Sequence, residues 1–451
     1  MIGGFAGGLA LAEPQVAPAI LHHTEVVQGA LRYDTEYPAM NYSGEAKHNR
    51  VARLQERLEK GEVKLEFTPG RGYLDSLIKN LDIDPSSQLL VYSKTSLQSD
   101  FIRGATPRAL YFNDDSSVSW EDGAPLIEIA AMDSQLGPVF YSLQNHQGDP
   151  DHPGGQSHHG DSPRGFEREG SRCLNCHDRY GMMGGGVPIF VETSSLVDVG
   201  GLILKPDDVI TVDDDTPIAQ RWAGWYVTGH SGSQVHLGNI QVHSAKELDD
   251  LDRVRKINLD SLDGLFDTKP YLTGKSDIVA LLVLEHESTI YNMITRMRFR
   301  ASKVKLENGQ LSARDERMEM AMSDKLLQSM LFVGAATLGD KITGSSGFDV
   351  WFQKQGPRDH AGRSLRELDL KTRLFKYPLS FLIYSPAFDA LPDNMRSHIY
   401  QRLAQVLTGA DTSSTFASVS AGDRKAILEI LKDTKPEFLP YLKGTPAVAM
   451  N

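Results

Sequence analysis

The only two cysteines of this chain, Cys173 and Cys176, stand three positions apart and are followed at once by His177. No disulfide framework can be built from them, so 451 residues must be held together by an apolar core. Hydrophobic residues make up 40% of the chain and charged residues 24%, which is enough to build one. The length predicts two or three domains, so most of the chain is something other than the surroundings of one short motif.

The motif itself predicts chemistry. A c-type haem is held by thioether bonds to two vinyl groups, which needs two thiols at this spacing, and its iron takes an imidazole from the next residue. Cys173, Cys176 and His177 meet that demand and predict one covalently bound haem c, with His177 as the proximal ligand. Two other chemistries use the same residues. A zinc site would have to complete the cysteines with His146, His152, His158 or His159, whose spacing is irregular and whose loop is rich in Gly and Pro. A thioredoxin-like redox pair would need a βαβ setting, and the flanking sequence offers none.

The sixth iron ligand separates electron transfer from catalysis, because a saturated iron cannot bind a substrate. A helix starting near Asp277 would bring His286, Met293 and Met297 to one face with Leu282 and Ile290, and His286 and Met293 are the leading candidate ligands. Core packing is the competing role for each methionine, and for Met182 and Met183, which follow the cysteines closely. The block Arg221-Trp222-Ala223-Gly224-Trp225-Tyr226 offers Trp222 and Trp225 to wall a porphyrin and Arg221 to pair with a propionate; an aromatic strand in a β-core is the equal alternative. His230 and His236 follow in a Gly/Ser-rich loop as pocket or surface residues. Arg296, Arg298, Arg300 and Lys303 read as a basic cluster complementing the end of the His286 helix. Asp213-Asp214-Asp215 reads as a solvated turn, and Gly184-Gly185-Gly186 lacks the context of a phosphate cradle.

The patterning predicts an α+β chain. Helices are expected over 43–60 and 73–81, followed by an N-terminal antiparallel meander with strands at 89–92, 109–112, 126–129 and 139–141. A loop-rich haem segment follows, with a very short helix or none at the cysteines, because the glycines and Pro188 after them cannot easily continue one. A C-terminal helical region is expected over 277–300, 313–338, 364–374, 393–408 and 421–432, with Asp393 and Ser420 as caps. The corresponding divisions are a signal-peptide remnant at 1–12, an N-terminal domain at 13–145, a haem c-binding segment at 146–250 and a helical domain at 251–451.

The apolar start ending in Ala10-Leu11-Ala12 looks like the end of a secretory signal, although it lacks a charged first region, and it predicts a periplasmic or extracellular protein. No apolar run is long enough to span a membrane. A net charge of −12 disfavours nucleic acid and anionic membranes as partners and is compatible with a basic redox protein.

The stretches 87–94, 173–188, 221–239, 284–286 and 373–378 together resemble large single-haem cytochrome c domain proteins of bacterial cell envelopes, over nearly the whole chain. The resemblance implies haem attachment at Cys173, Cys176 and His177 and an envelope location. It supplies no reaction and no sixth ligand. Electron transfer is the leading expectation; a peroxidase-like oxidoreductase with an open distal site, using His286, His230 or Arg221, and a haem-based sensor are the alternatives.

Overall fold

The computed structural model describes residues 26–27, 30–31, 38–44, 48–146, 165–178, 186–253 and 255–443. The expected signal remnant, His152, His158, His159, Met182 and Met183, and Gly184 and Gly185 lie outside these residues.

The chain is α+β, with strands N-terminal and helices C-terminal. One seven-stranded antiparallel sheet organises it, built from β1 (Leu89–Val91), β2 (Arg108–Asn113), β3 (Ser116–Trp120), β4 (Leu126–Asp133), β5 (Gly137–Gln144), β6 (Glu167–Glu169) and β7 (Trp225–Tyr226). The first six run as a meander in chain order, and β7 adds to the edge beside β1. Three of the central strands differ from expectation: Ser116–Trp120 was hidden by its three serines, and β4 and β5 each reach eight residues.

Alternation along the strands gives the sheet two different faces. Leu90, Tyr92, Ala109, Tyr111, Val118, Trp120, Ile127 and Ala131 pack with α1 (Arg50–Glu59) and α2 (Leu74–Asn80). Leu89, Val91, Phe112 and Met132 face the other way and join the core of the C-terminal helices. Each such side chain contributes roughly 1.5–3 kcal/mol on burial, so both layers are strongly tied to the sheet. Strand β7 and a shared core running from Leu89 to Phe438 knit together the three segments expected at 13–145, 146–250 and 251–451.

The α1 helix begins at Arg50 rather than near Ser43. Asn49 caps it by accepting from the Ala52 amide, and its own amide group donates to Asp133 and Tyr141 on the sheet. The helix α3 (Ser171–His177) carries the cysteines and is two turns long, as the glycines after it predicted. The helix α4 (Ile278–Asn308) is buried on nearly all sides from Ile278 to Ser288, which makes it the central rod of the helical layer. Asp277 caps it, one carboxylate oxygen taking the Val279 and Ala280 amides and the other those of Ser345 and Ser346.

Around α4 lie α5 (Ala313–Met330), α6 (Phe348–Lys354), α7 (Asp393–Leu407) and α8 (Ala421–Thr434). Ser420 caps α8 in a reciprocal pair with Asp423, whereas Pro392, not Asp393, occupies the cap position of α7. The expected helix over 364–374 does not form. Arg366 is drawn to Asp114, Leu368 bridges to Phe375, and Leu370 takes a left-handed backbone, so the segment folds into turns. Similarly α5 stops at Met330, and Phe332 adopts φ +55°. No described helix is long and apolar enough to cross a membrane.

Candidate functional site

The site-facing side of the sheet is polar at its centre, where the helices do not close on it. Arg108, Leu110 and Phe112 of β2, Ser117 and Ser119 of β3, Glu128 and Ala130 of β4 and Phe140 of β5 all lie on this face, as their cross-strand pairing requires. They border a cavity that is partly open to solvent. Cys173 and His177 of α3 form another part of its wall. Helix α4 contributes Leu284, Glu287, Ser288 and Tyr291, and Phe190, Glu192 and Trp225 complete it.

His177 is fixed from both sides. Its ring packs against Phe140 with centroids 4.4 Å apart, and its Nδ1 lies 2.9 Å from the Ile189 carbonyl oxygen. A carbonyl only accepts, so Nδ1 carries the proton and Nε2 presents a lone pair, with no partner among the described residues. Burial lowers the imidazole to about 4, keeping it neutral, which is the metal-binding form. The Cys173 thiol is pushed up to about 12 by burial, with the charges of Glu128 and Glu169 adding to the effect, while Cys176 is exposed. A thiol so disposed is a poor source of thiolate for zinc or for disulfide exchange. Among the described residues no group of three or more His, Cys, Asp or Glu is assembled to hold a metal ion, and His146 is exposed.

These residues fit a covalently attached haem. Cys173 and His177 border one space, Nε2 of His177 is available, and Leu110, Phe112, Phe140, Phe190, Trp225 and Leu284 provide apolar walls. Arg108 supplies a cation whose buried Nε has no partner among the described residues, in a position to influence His177 and Glu192 electrostatically. An anionic propionate is the complement of such a group. No local signal marks Arg108, which lies 65 residues before the motif in an ordinary strand; only the β2 pleat brings it to the cavity.

The other expected site residues are placed differently. Arg221 does not face the cavity as a propionate partner: its Nη1 lies 2.5 Å from Glu285 Oε2, and its Nε donates to the Thr216 carbonyl. Trp222 is also removed from the wall, its indole donating to Glu285 at 2.8 Å. Of the aromatic block Trp225 alone borders the cavity. The chain reaches it through a turn closed by the Trp225 amide and the Trp222 carbonyl, in which Gly224 at φ +85° takes a position a side chain would strain.

His286 lies in the helical core instead, fully buried, with Nδ1 2.8 Å from Asp214 and Nε2 2.8 Å from the Ser380 hydroxyl. Both ring nitrogens are committed, and the ring stacks on Phe332. One step along α4 turns its face by about 100°, so Glu287 and Ser288 meet the cavity while His286 points elsewhere. Met293 and Met297 pack in the same helical core. The Ser380–His286–Asp214 chain has the order of a hydrolytic triad, but Ser380 is fully buried and borders no described cavity, so it is a clamp between three segments.

His230 pairs with Asp260 at the surface, and His236 is buried against Trp222, accepting from the Gly238 amide. Asp213 closes its own turn onto Asp215 and Thr216. The basic residues near Arg300 do not end a helix, since α4 continues to Asn308; Arg300 pairs with Asp315.

Five carboxyls absent from the sequence-based candidates line the cavity: Asp114, Asp115, Glu128, Glu192 and Glu287. Glu192 accepts from Ser288 at 2.8 Å, and burial raises it to about 8. Glu287, one turn of α4 before Tyr291, is 4% exposed. Neither lies in a motif; a polar residue on an otherwise apolar helix was the only signal for Glu287, and Glu192, outside any helix, gave none. Comparison with protein families, curated proteins and solved structures finds no match to this chain.

Proposed function

We propose that the chain carries one haem c, attached through Cys173 and Cys176 and ligated by His177, and acts as a haem-dependent oxidoreductase with an open distal site. The observation that carries the reading is the common cavity of Cys173 and His177, with Nε2 of His177 left free by the Ile189 contact. When bound, the haem would supply one-electron chemistry and a position for a small ligand. The chain's own work is to orient His177, to balance charge through Arg108 and to keep the cavity walls apolar near Leu110, Phe112 and Trp225.

The position of the α4 residues favours the open site over a saturated iron. His286, Met293 and Met297 all lie away from the cavity wall, and its described lining contains no methionine and no second histidine. Polar groups of the kind that handle small oxidants such as peroxide, Glu192, Glu287 and Ser288, stand there instead. Electron transfer remains the second reading, favoured by the exposure of Cys176, which would leave one haem edge near the surface for a redox partner protein. The signal-like start is the basis for an envelope location.

Optical spectra of the protein matured with haem c, oxidised, reduced and reduced under carbon monoxide, test the reading. A covalent haem whose ferrous form binds carbon monoxide supports it. A low-spin spectrum indifferent to carbon monoxide transfers the function to electron transfer, and absence of covalent haem overturns both.

A further inference from the structure

Glu287 is 4% exposed, borders the cavity, and makes no hydrogen bond or ion pair with any described residue. Its carboxyl opens on the cavity, where a bound water or a ligand is the hydrogen-bond partner left to it. We propose that Glu287 donates a hydrogen bond to a small, neutral, oxygen-bearing ligand held in the cavity on the open side of the haem. The proposal rests on the haem reading of the preceding section and adds the group that recognises the ligand.

The surroundings determine which partner this carboxyl can take. Facing it are Asp114 and Asp115 from the β2–β3 turn, Glu192 from the segment after α3, and Arg366 from the segment after α6. Arg366 is already paired with Asp114 and lies over the rings of Phe352 and Phe381. Burial, with Asp114 opposing ionisation next, holds Glu287 well above the usual carboxylate range. It is therefore a neutral acid with one proton to donate, suited to an acceptor oxygen and unsuited to an anion, which would meet three further acidic side chains. Tyr291 cannot substitute for it, because its hydroxyl already donates to the Asp114 carbonyl, and Ser288 is taken by Glu192.

Carbon monoxide on the reduced, haem-loaded protein is the probe, and its infrared stretching frequency is the readout, since a donor hydrogen bond to the bound molecule lowers that frequency. Glu287→Leu should shift the band upward, whereas Glu287→Gln, which keeps a donor, should stay close to the parent. Replacing an unpartnered buried carboxyl by an apolar group of similar size is neutral or stabilising, so the Leu variant is expected to fold. A band unmoved by Glu287→Leu overturns this inference alone. A protein that attaches no haem, or whose ferrous form refuses carbon monoxide, overturns the reading it rests on and this inference with it.

Discussion

Nδ1 of His177 donates to the carbonyl oxygen of Ile189 across 2.9 Å, so the segment that follows the Cys173–His177 motif folds back to orient the motif's own histidine. The same segment is tied onward to α4, because Asn292 brackets the backbone of Phe190 through both its amide nitrogen and its oxygen. Asn292→Ala should loosen this strap while leaving the cysteines intact. Covalent haem should still form, and the iron–histidine stretch measured by resonance Raman should move to lower frequency as His177 loses its fixed orientation. An unaltered stretch would mean that Phe140 alone holds the ring.

Arg221 and Glu285 form a buried ion pair, both side chains under 5% exposed. Arg221→Met would leave Glu285 charged and unpaired beside Trp222, at a cost of about 3–5 kcal/mol, read as a drop in the denaturant midpoint. Replacing both partners, Arg221→Met with Glu285→Leu, should recover most of that loss. Retention of haem in the double variant would separate this pair from propionate binding.

His286 invites the opposite error, since its place on an apolar helix suggests an iron ligand. His286→Ala removes hydrogen bonds to Asp214 and Ser380 and opens a void beside Phe332, so about 2–4 kcal/mol of stability should be lost. The optical spectrum of the haem-loaded protein should not change. A changed spectrum at preserved fold would return His286 to the iron.

Much of the fold was legible in local pattern. The meander strands declared themselves through β-prone runs between turn clusters, and α7, α8 and the start of α4 through apolar spacing, with Ser420 at α8 the one expected cap that forms. The failures have specific causes. Ser116–Trp120 is a strand because Tyr111 and Ile129 flank Val118 on the sheet, not because of its own serines. The 364–374 segment has helical spacing, but Arg366 is pulled to Asp114, far away in sequence. At the site, Cys173 and His177 of the motif lie on one wall of the cavity, while Cys176 is exposed. Arg108, Glu192 and Glu287 reach the others by strand pleat and helix rotation, which a single sequence does not display.

Glu192 makes stability depend on pH in an unusual direction. Its folded-state value is raised to about 8, above that of the unfolded chain, so between roughly pH 4.5 and 8 the folded protein holds a proton that the unfolded chain has released. Its contribution to stability is therefore complete in acid and is lost as pH rises through that window. Glu192→Gln keeps a partner for Ser288 without the titration. It should be close to neutral at pH 5 and stabilising by about 1 kcal/mol at pH 8, after allowance for water in the cavity, as thermal melts at the two pH values would report.

Arg108 offers a test of which charges the haem would meet. Oxidised haem carries one more positive charge than reduced haem, so a cation on the cavity wall disfavours the oxidised form. A unit charge roughly 10 Å away at an effective dielectric near 20 is worth about 1.7 kcal/mol, which for a one-electron couple is on the order of 70 mV. Arg108→Leu should therefore lower the midpoint potential by tens of millivolts, and Arg108→Lys should restore most of the difference. Arg221, neutralised by Glu285, should shift the potential far less when both partners are replaced. Equal potentials for parent and Arg108→Leu protein would remove Arg108 from the haem's surroundings and, with it, the assignment of this wall to the propionates.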